Sequence, residues 1–170
     1  MSEVRIEDTL AIDVSAPEVW HALKDRAAHA RWHPFVTEIA GEHSLGQVRT
    51  CSVLVGSKHG ETKERCVVEE PANRIAWSVE EDSTGFGRMV SNWRAGFSLT
   101  PDDGKTLVIA ESTFEPNNLL VRAALPLIRR KFHQTQRAIL AALKESLETH
   151  GDAAELSSED GSAFDTSSRT

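Results

Sequence analysis

The sequence predicts an α+β domain: a curved antiparallel sheet of about seven strands wrapped around a long C-terminal helix, with two short helices after the first strand. Three observations carry that expectation. An alternating apolar run at 4–14 leads directly into a capped helix at 15–31. Further alternating runs, divided by turn-forming residues, fill 36–114. An apolar stripe at helical spacing then extends over 118–149.

The first run places Val4, Ile6, Leu10, Ile12 and Val14 on one parity and Arg5, Glu7, Thr9 and Asp13 on the other, which is the period of a half-buried strand. Ser15-Ala16-Pro17-Glu18 has the pattern of a capping box, with a hydroxyl for free amides, a proline where the missing amide costs little and a glutamate three residues on. Val19, Trp20 and Leu23 supply the buried face of that helix. A second short turn through Ala27, Ala28 and Trp32 ends at His33, which Pro34 biases away from helical geometry. Strands are expected at 36–40, 48–55, 62–70, 74–81, 89–100 and 105–114. Pro101-Asp102-Asp103-Gly104 is the clearest turn, Glu70-Pro71-Ala72-Asn73 a second, and 82–87 a looser rim.

In the final segment Leu120, Ala124, Leu127, Ile128, Phe132, Thr135, Ile139, Leu143 and Leu147 recur at spacings of three and four. Pro126 removes a backbone donor, so the helix either kinks there or begins there after a separate turn. Residues 1–150 are therefore read as one domain. Residues 151–170, rich in Ser, Asp, Glu and Gly, are read as a disordered acidic tail, because so few apolar groups do not offset ordering entropy.

Composition is that of a globular chain, 39% hydrophobic and 26% charged over 170 residues. More than half of the net charge of -7 comes from Asp152, Glu155, Glu159, Asp160 and Asp165 against Arg169. A mildly acidic domain argues against nucleic acid as a partner, because phosphate binding needs clustered cations. The basic cluster Arg129-Arg130-Lys131 is read as a solvated face of the last helix. No apolar run is long enough for an integral membrane segment and no signal-peptide pattern opens the chain, so a cytoplasmic location is expected. Cys51 and Cys66 lack the spacing of a zinc or redox pair. A hairpin turning through 56–61, with Val55 opposite Thr62, would make the two cysteines cross-strand neighbours with free thiols.

The opening Ser15-Ala16-Pro17-Glu18-Val19-Trp20, the segment Arg31-Trp32-His33-Pro34, the strand from Trp93 to Pro101 ending Phe97-Ser98-Leu99-Thr100-Pro101, and the long last helix together resemble the polyketide cyclase/dehydrase-like branch of the START and Bet v 1-like (SRPBCC) superfamily. The resemblance covers about residues 3–149 and implies the helix-grip fold, in which the sheet grips the last helix around a cavity. It speaks for fold more than activity, because the shared residues are mostly fold-forming.

Strand parity nominates the groups that line such a cavity. Trp77 shares a face with Ile75 and Val79. Trp93 shares one with Met89, Ser91, Ala95, Phe97 and Leu99. With Trp32 at the rim, Val53, and Leu127 and Phe132 on the helix, Trp77, Met89, Ser91, Trp93 and Phe97 are the expected ligand-binding set; the indoles are equally compatible with plain core packing. Arg49 shares the parity of Cys51 and Val53. It either enters the cavity, where it would meet a carboxylate or enolate, or lies beyond the covered sheet in solvent, and the second reading weighs slightly more. Glu111 is a proton-shuttle candidate only if the odd face of its strand is inward; the outward reading weighs more. His33, Ser91 and His133 complete the acid/base candidates. Each lone histidine is more often a surface or capping residue than a catalytic one.

With no Tyr, GxSxG elbow, HExxH pair, Walker loop or dinucleotide glycine pattern, neither cofactor nor metal is expected. Three functions remain open: a binder of a small hydrophobic or aromatic molecule such as a lipid or polyketide-like metabolite; a cofactor-independent aromatase/cyclase-type enzyme using Arg49, Ser91, Glu111 and His33; and a protein-interaction module. A monomer or homodimer suits any of them. If both thiols are free, the intact mass without reductant will equal that of the fully reduced chain, whereas a mass lower by two hydrogens would reveal a disulfide.

Overall fold

A computed structural model describes residues 2–158. Strand β1 (Val4–Ile12) is followed by helices α1 (Ala16–Lys24) and α2 (Arg26–Trp32) and by strands β2 (Val36–Gly41), β3 (Val48–Val55), β4 (Lys58–Glu70), β5 (Arg74–Asp82), β6 (Val90–Asp102) and β7 (Lys105–Pro116). Helices α3 (Leu119–Ala123) and α4 (Leu125–Ser158) end the described chain. The strands form one antiparallel sheet in the order β1-β7-β6-β5-β4-β3-β2, so β1 and β2 are its edges and α1 and α2 connect them. The expected helix-grip architecture is present. No helix among the described residues is long and apolar enough to cross a membrane.

Local chemistry accounts for the element ends. Glu18 accepts from the Ser15 amide at 2.9 Å and from its hydroxyl at 2.5 Å, bonds that hold the carboxyl below its ordinary pKa. Asp25, between the two helices, accepts from the Ala28 amide at 2.7 Å. Pro126 marks the start of α4 after the separate turn of α3, the second of the two arrangements open from sequence. Helix α4 continues to Ser158, into the segment expected to be a tail; the rest of that segment lies outside the described residues.

Two turns differ from expectation. Strands β3 and β4 meet through a two-residue loop, Val55 pairing with Lys58 rather than Thr62, and Gly56 takes φ +64°. Cys51 consequently faces Thr62 and not Cys66; both thiols are buried and free. The β5–β6 connection is built rather than loose: Asp82 accepts from the Thr84 and Gly87 amides at 2.8 and 2.7 Å, and a 3₁₀ turn follows at Phe86–Arg88.

Register shifts bend the sheet. They occur in the β2–β3 pairing, twice in β4–β5 and once in β6–β7, each with an extra residue on one strand. In β6, Ser91 pairs with Glu115 but Arg94 with Thr113, so Asn92 and Trp93 together stand opposite Phe114, and Asn92 takes φ +53°. The concave face is only partly covered. Helix α4 packs on β1 and β7, not on the middle of the sheet. One core cluster joins Val19, Leu23, Trp32, Ile75, Phe97, Leu140 and Leu143; a second joins Val4, Ile6, Val90, Phe114 and Val121 to Phe86, Trp93 and Phe132.

Gly96 of β6 pairs with Ala76 of β5, and a Cβ there would lie 2.5 Å from the Ile75 carbonyl oxygen and 2.7 Å from the Ala76 Cβ. Gly96→Ala is expected to lower stability by about 1–3 kcal/mol, read as a shift in the urea midpoint.

Candidate functional site

Between α4 and the strands it leaves uncovered is a cavity of about 410 Å³. Its apolar wall is Val36 and Val53, Trp77 of β5, Trp93 and Phe97 of β6, and Ile139 of α4. Lys131, Gln134, Thr135 and Gln136 of α4 also border it, with Val55 at the end of β3 and Gly56 and Thr84 from the β3–β4 and β5–β6 connections.

The polar end is built around Arg49. Its side chain is 6% exposed, and its guanidinium carbon lies 3.7 Å from the centre of the Trp77 ring. Nε and Nη2 donate to Glu64 Oε2 at 2.8 and 2.6 Å, and Nη1 donates to His43 Nε2 at 2.7 Å. These bonds account for three of the five N–H groups; the other two have no hydrogen-bond partner among the described residues, on a side chain that lines the cavity. Glu64 also accepts from Thr62 Oγ1 at 2.9 Å and from the Cys51 thiol at 3.7 Å. Burial pushes its pKa up, but the Arg49 charge and these hydrogen bonds outweigh it, so the carboxyl sits below its ordinary value and ionised.

Three histidines surround the pair as neutral rings. Burial, reinforced by the Arg49 charge, lowers His33 and His43 to about 4 and His29 well below its usual value. Their hydrogen bonds set the tautomers. Nδ1 of His33 accepts from the Phe35 and Val36 amides at 3.2 and 3.1 Å, which places the proton on Nε2. Nδ1 of His43 donates to the Lys24 carbonyl, leaving Nε2 to accept from Arg49; Nδ1 of His29 donates to the Leu23 carbonyl. His29 and His33 both line the cavity. Burial and the nearby Glu64 push the Cys51 thiol up to about 12, so it remains protonated.

Three buried polar atoms on cavity residues have no protein partner among the described residues: the indole nitrogens of Trp77 and Trp93 and Oε1 of Gln136. The Gln136 amide nitrogen is bonded to the Ile6 carbonyl and to Ser112 Oγ, both at 3.2 Å.

Of the residues nominated from sequence, Arg49, His33, Val53, Trp77, Trp93 and Phe97 line the cavity. Arg49 is inward, not in solvent. The others stand elsewhere. Ser91 and Met89 are exposed because the extra residue at Asn92 and Trp93 inverts the parity before it, turning Val90 inward instead. Glu111 contacts the cavity, but its carboxylate is tied to Arg5 and, at 3.4 Å, to Arg74, as expected of the outer face. Trp32 is core, its indole donating to the Ala22 carbonyl at 2.9 Å. Phe132 belongs to the second cluster against Phe86, and Leu127 is 71% exposed. His133 pairs with Asp8 at 2.6 Å, away from the cavity.

Sequence reasoning passed over Glu64, His29, His43 and Gln136. Glu64 was findable, since it shares parity with Thr62 and Cys66, and His29 stands one helical turn before His33. His43 is in a loop and carried no signal.

A family model described as "Polyketide cyclase / dehydrase and lipid transport" matches residues 3–148. No curated protein matches the sequence. Among solved structures, the Zhui aromatase/cyclase from a Streptomyces strain is 20% identical, with a TM-score of 0.71 over 90% of this chain and 98% of that one. Norcoclaurine synthase from Thalictrum flavum, in complex with dopamine and hydroxybenzaldehyde, is 16% identical, with a TM-score of 0.69 over 88% of each chain. A START superfamily protein from Mycobacterium smegmatis is 13% identical, with a TM-score of 0.68 over 85% of this chain and 97% of that one. At these identities the likeness is one of fold.

Glu64→Gln strands the buried guanidinium and is expected to cost about 3–5 kcal/mol in urea unfolding, with the loss partly recovered when Arg49→Met is added. The histidines give stability a pH dependence of definite sign. Their pKa values are depressed on folding from 6.5 to about 4 for His33 and His43, so between those limits the unfolded chain binds the extra protons. Stability is expected to be full above pH 6.5 and to fall as pH drops towards 4. His33→Gln should flatten the curve.

Proposed function

Because the chain belongs to the polyketide cyclase/dehydrase and lipid transport family, we propose that its cavity holds a small, flat, mostly apolar molecule bearing an oxygen at one end, an aromatic or polyketide-like metabolite. One observation carries this reading: a buried guanidinium with two uncommitted N–H groups among the described residues stands at one end of a cavity walled by aromatic and aliphatic side chains. The rings of such a ligand fit between Trp77, Phe97 and Ile139. A carbonyl or phenolate oxygen meets Arg49 and the Nε2–H of His33, in a low-dielectric setting where both bonds gain strength. Glu64 balances the Arg49 charge, so the end favours a neutral or weakly anionic oxygen over a full carboxylate.

Binding without turnover ranks first because the cavity offers donors and no strong base. Of the carboxylates that border the cavity, Glu64 is committed to Arg49 and Glu111 to Arg5 and Arg74; Nδ1 of His33 is committed to two amides, and the remaining imidazole nitrogens are weakly basic. A second reading draws on the same geometry. A neutral imidazole and a guanidinium aimed at one oxygen suit the enolate of an aldol closure, and the fold neighbour from Streptomyces is an aromatase/cyclase.

Native mass spectrometry of the protein from its own host is expected to show a stoichiometric passenger, released on denaturation as an aromatic or polyketide-like compound. Ala95→Trp, which fills the cavity, should lose the passenger while keeping the circular dichroism of the parent. An empty parent protein, or a passenger retained by the filled variant, would overturn the binder reading; conversion of a poly-β-keto substrate, lost in Arg49→Gln, would establish the second.

A further inference from the structure

We propose that the corner formed by α3 and the first turns of α4 docks on an anionic membrane surface. From Asn117 to Lys144 the chain has no acidic residue but holds Arg122, Arg129, Arg130, Lys131, Arg137 and Lys144, a segregation that stands out in a chain of net charge -7. Arg137 and Lys144 are ion-paired, and Arg129 donates to the Arg5 carbonyl. Among the described residues no carboxylate pairs with Arg122, Arg130 or Lys131, which are exposed.

The same corner carries three large apolar side chains in solvent, Leu119 at 76%, Leu120 at 83% and Leu127 at 71% exposed. They are not frayed core. Val121, Leu125, Ile128 and Phe132 already supply the face turned to the second cluster, and the leucines face solvent, interleaved along the chain with the unpaired cations. Exposed leucines beside unpaired cations on a helical surface match the chemistry of a headgroup region, which accepts apolar side chains and offers phosphate or carboxylate charge together. An acidic protein would satisfy the cations, but it gives less reason for three leucines held in water.

Position adds a reason for the bilayer. Lys131 borders the cavity and lies one turn from Leu127, so the patch adjoins the cavity. An apolar ligand would pass between bilayer and cavity without crossing open water; the docking surface itself does not depend on the ligand reading.

Flotation of the full chain with vesicles tests the proposal. Binding is expected to phosphatidylcholine vesicles containing phosphatidylserine, not to phosphatidylcholine alone, and to weaken as salt rises. Each cation near an anionic surface is worth about fivefold in affinity, so Arg122→Gln with Arg130→Gln should weaken binding roughly 25-fold. Leu120→Ser with Leu127→Ser should abolish it, and both pairs are exposed enough to leave the fold intact by circular dichroism. Failure to bind the anionic vesicles, or equal binding by parent and variants, would overturn the proposal. So would a solution dimer that dissociates in the leucine variant, which would assign the leucines to self-association.

Discussion

The attachment of α4 to the edge strand β1 is the constraint on which the rest of the architecture depends. Asp8, with a side chain 8% exposed, accepts from Nε of Arg137 at 2.9 Å and pairs with His133 at 2.6 Å, while Gln136 and Lys144 donate to the Ile6 and Ala11 carbonyls. A buried carboxylate is tolerable only when its oxygens are satisfied, so these bonds specify both which part of the sheet the helix covers and its rotation about its own axis. Held against β1 and β7, α4 leaves the middle strands uncovered. Because the bulged sheet curves away from it, the space left over is a cavity and not a dry helix–sheet seam.

Once that space exists, its chemistry follows from which side chains the inner faces of β3 and β4 supply. Arg49 is buried there and is stabilised by a carboxylate, an imidazole and an indole face in concert. The desolvation of the ion pair is a standing cost, which apolar residues of similar volume would avoid. Such a cost at the end of an aromatic cavity is characteristic of a binding site, where a polar anchor sets orientation and the apolar wall provides most of the contact. The neutral histidines belong to the same electrostatic unit. Their weak basicity is imposed by burial and by the guanidinium together.

Much of this was legible before any coordinates. Seven alternating runs, a capping box and a helical stripe identify the architecture, because each is a local consequence of side-chain direction along a strand or helix. Trp77, Trp93, Phe97 and Val53 were found by parity alone. Parity failed where a bulge intervened: the extra residue in β6 turned Ser91 and Met89 outward, and nothing in Ser91-Asn92-Trp93 announces a bulge. The two-residue turn at Gly56-Ser57 likewise slid Cys51 from Cys66 to Thr62.

The sequence by itself determined the elements and their order, which rest on periodicity and turn chemistry within a few residues, and its motifs carried the resemblance to the family. Only the tertiary structure decided that Arg49 is buried and not solvated, that Glu64 and His43 are its partners, and that Leu127 stands outside. Those outcomes depend on strand register and on where α4 comes to rest. Both arise from contacts between residues far apart in the chain, such as Asp8 with Arg137, whose pairing no local pattern encodes.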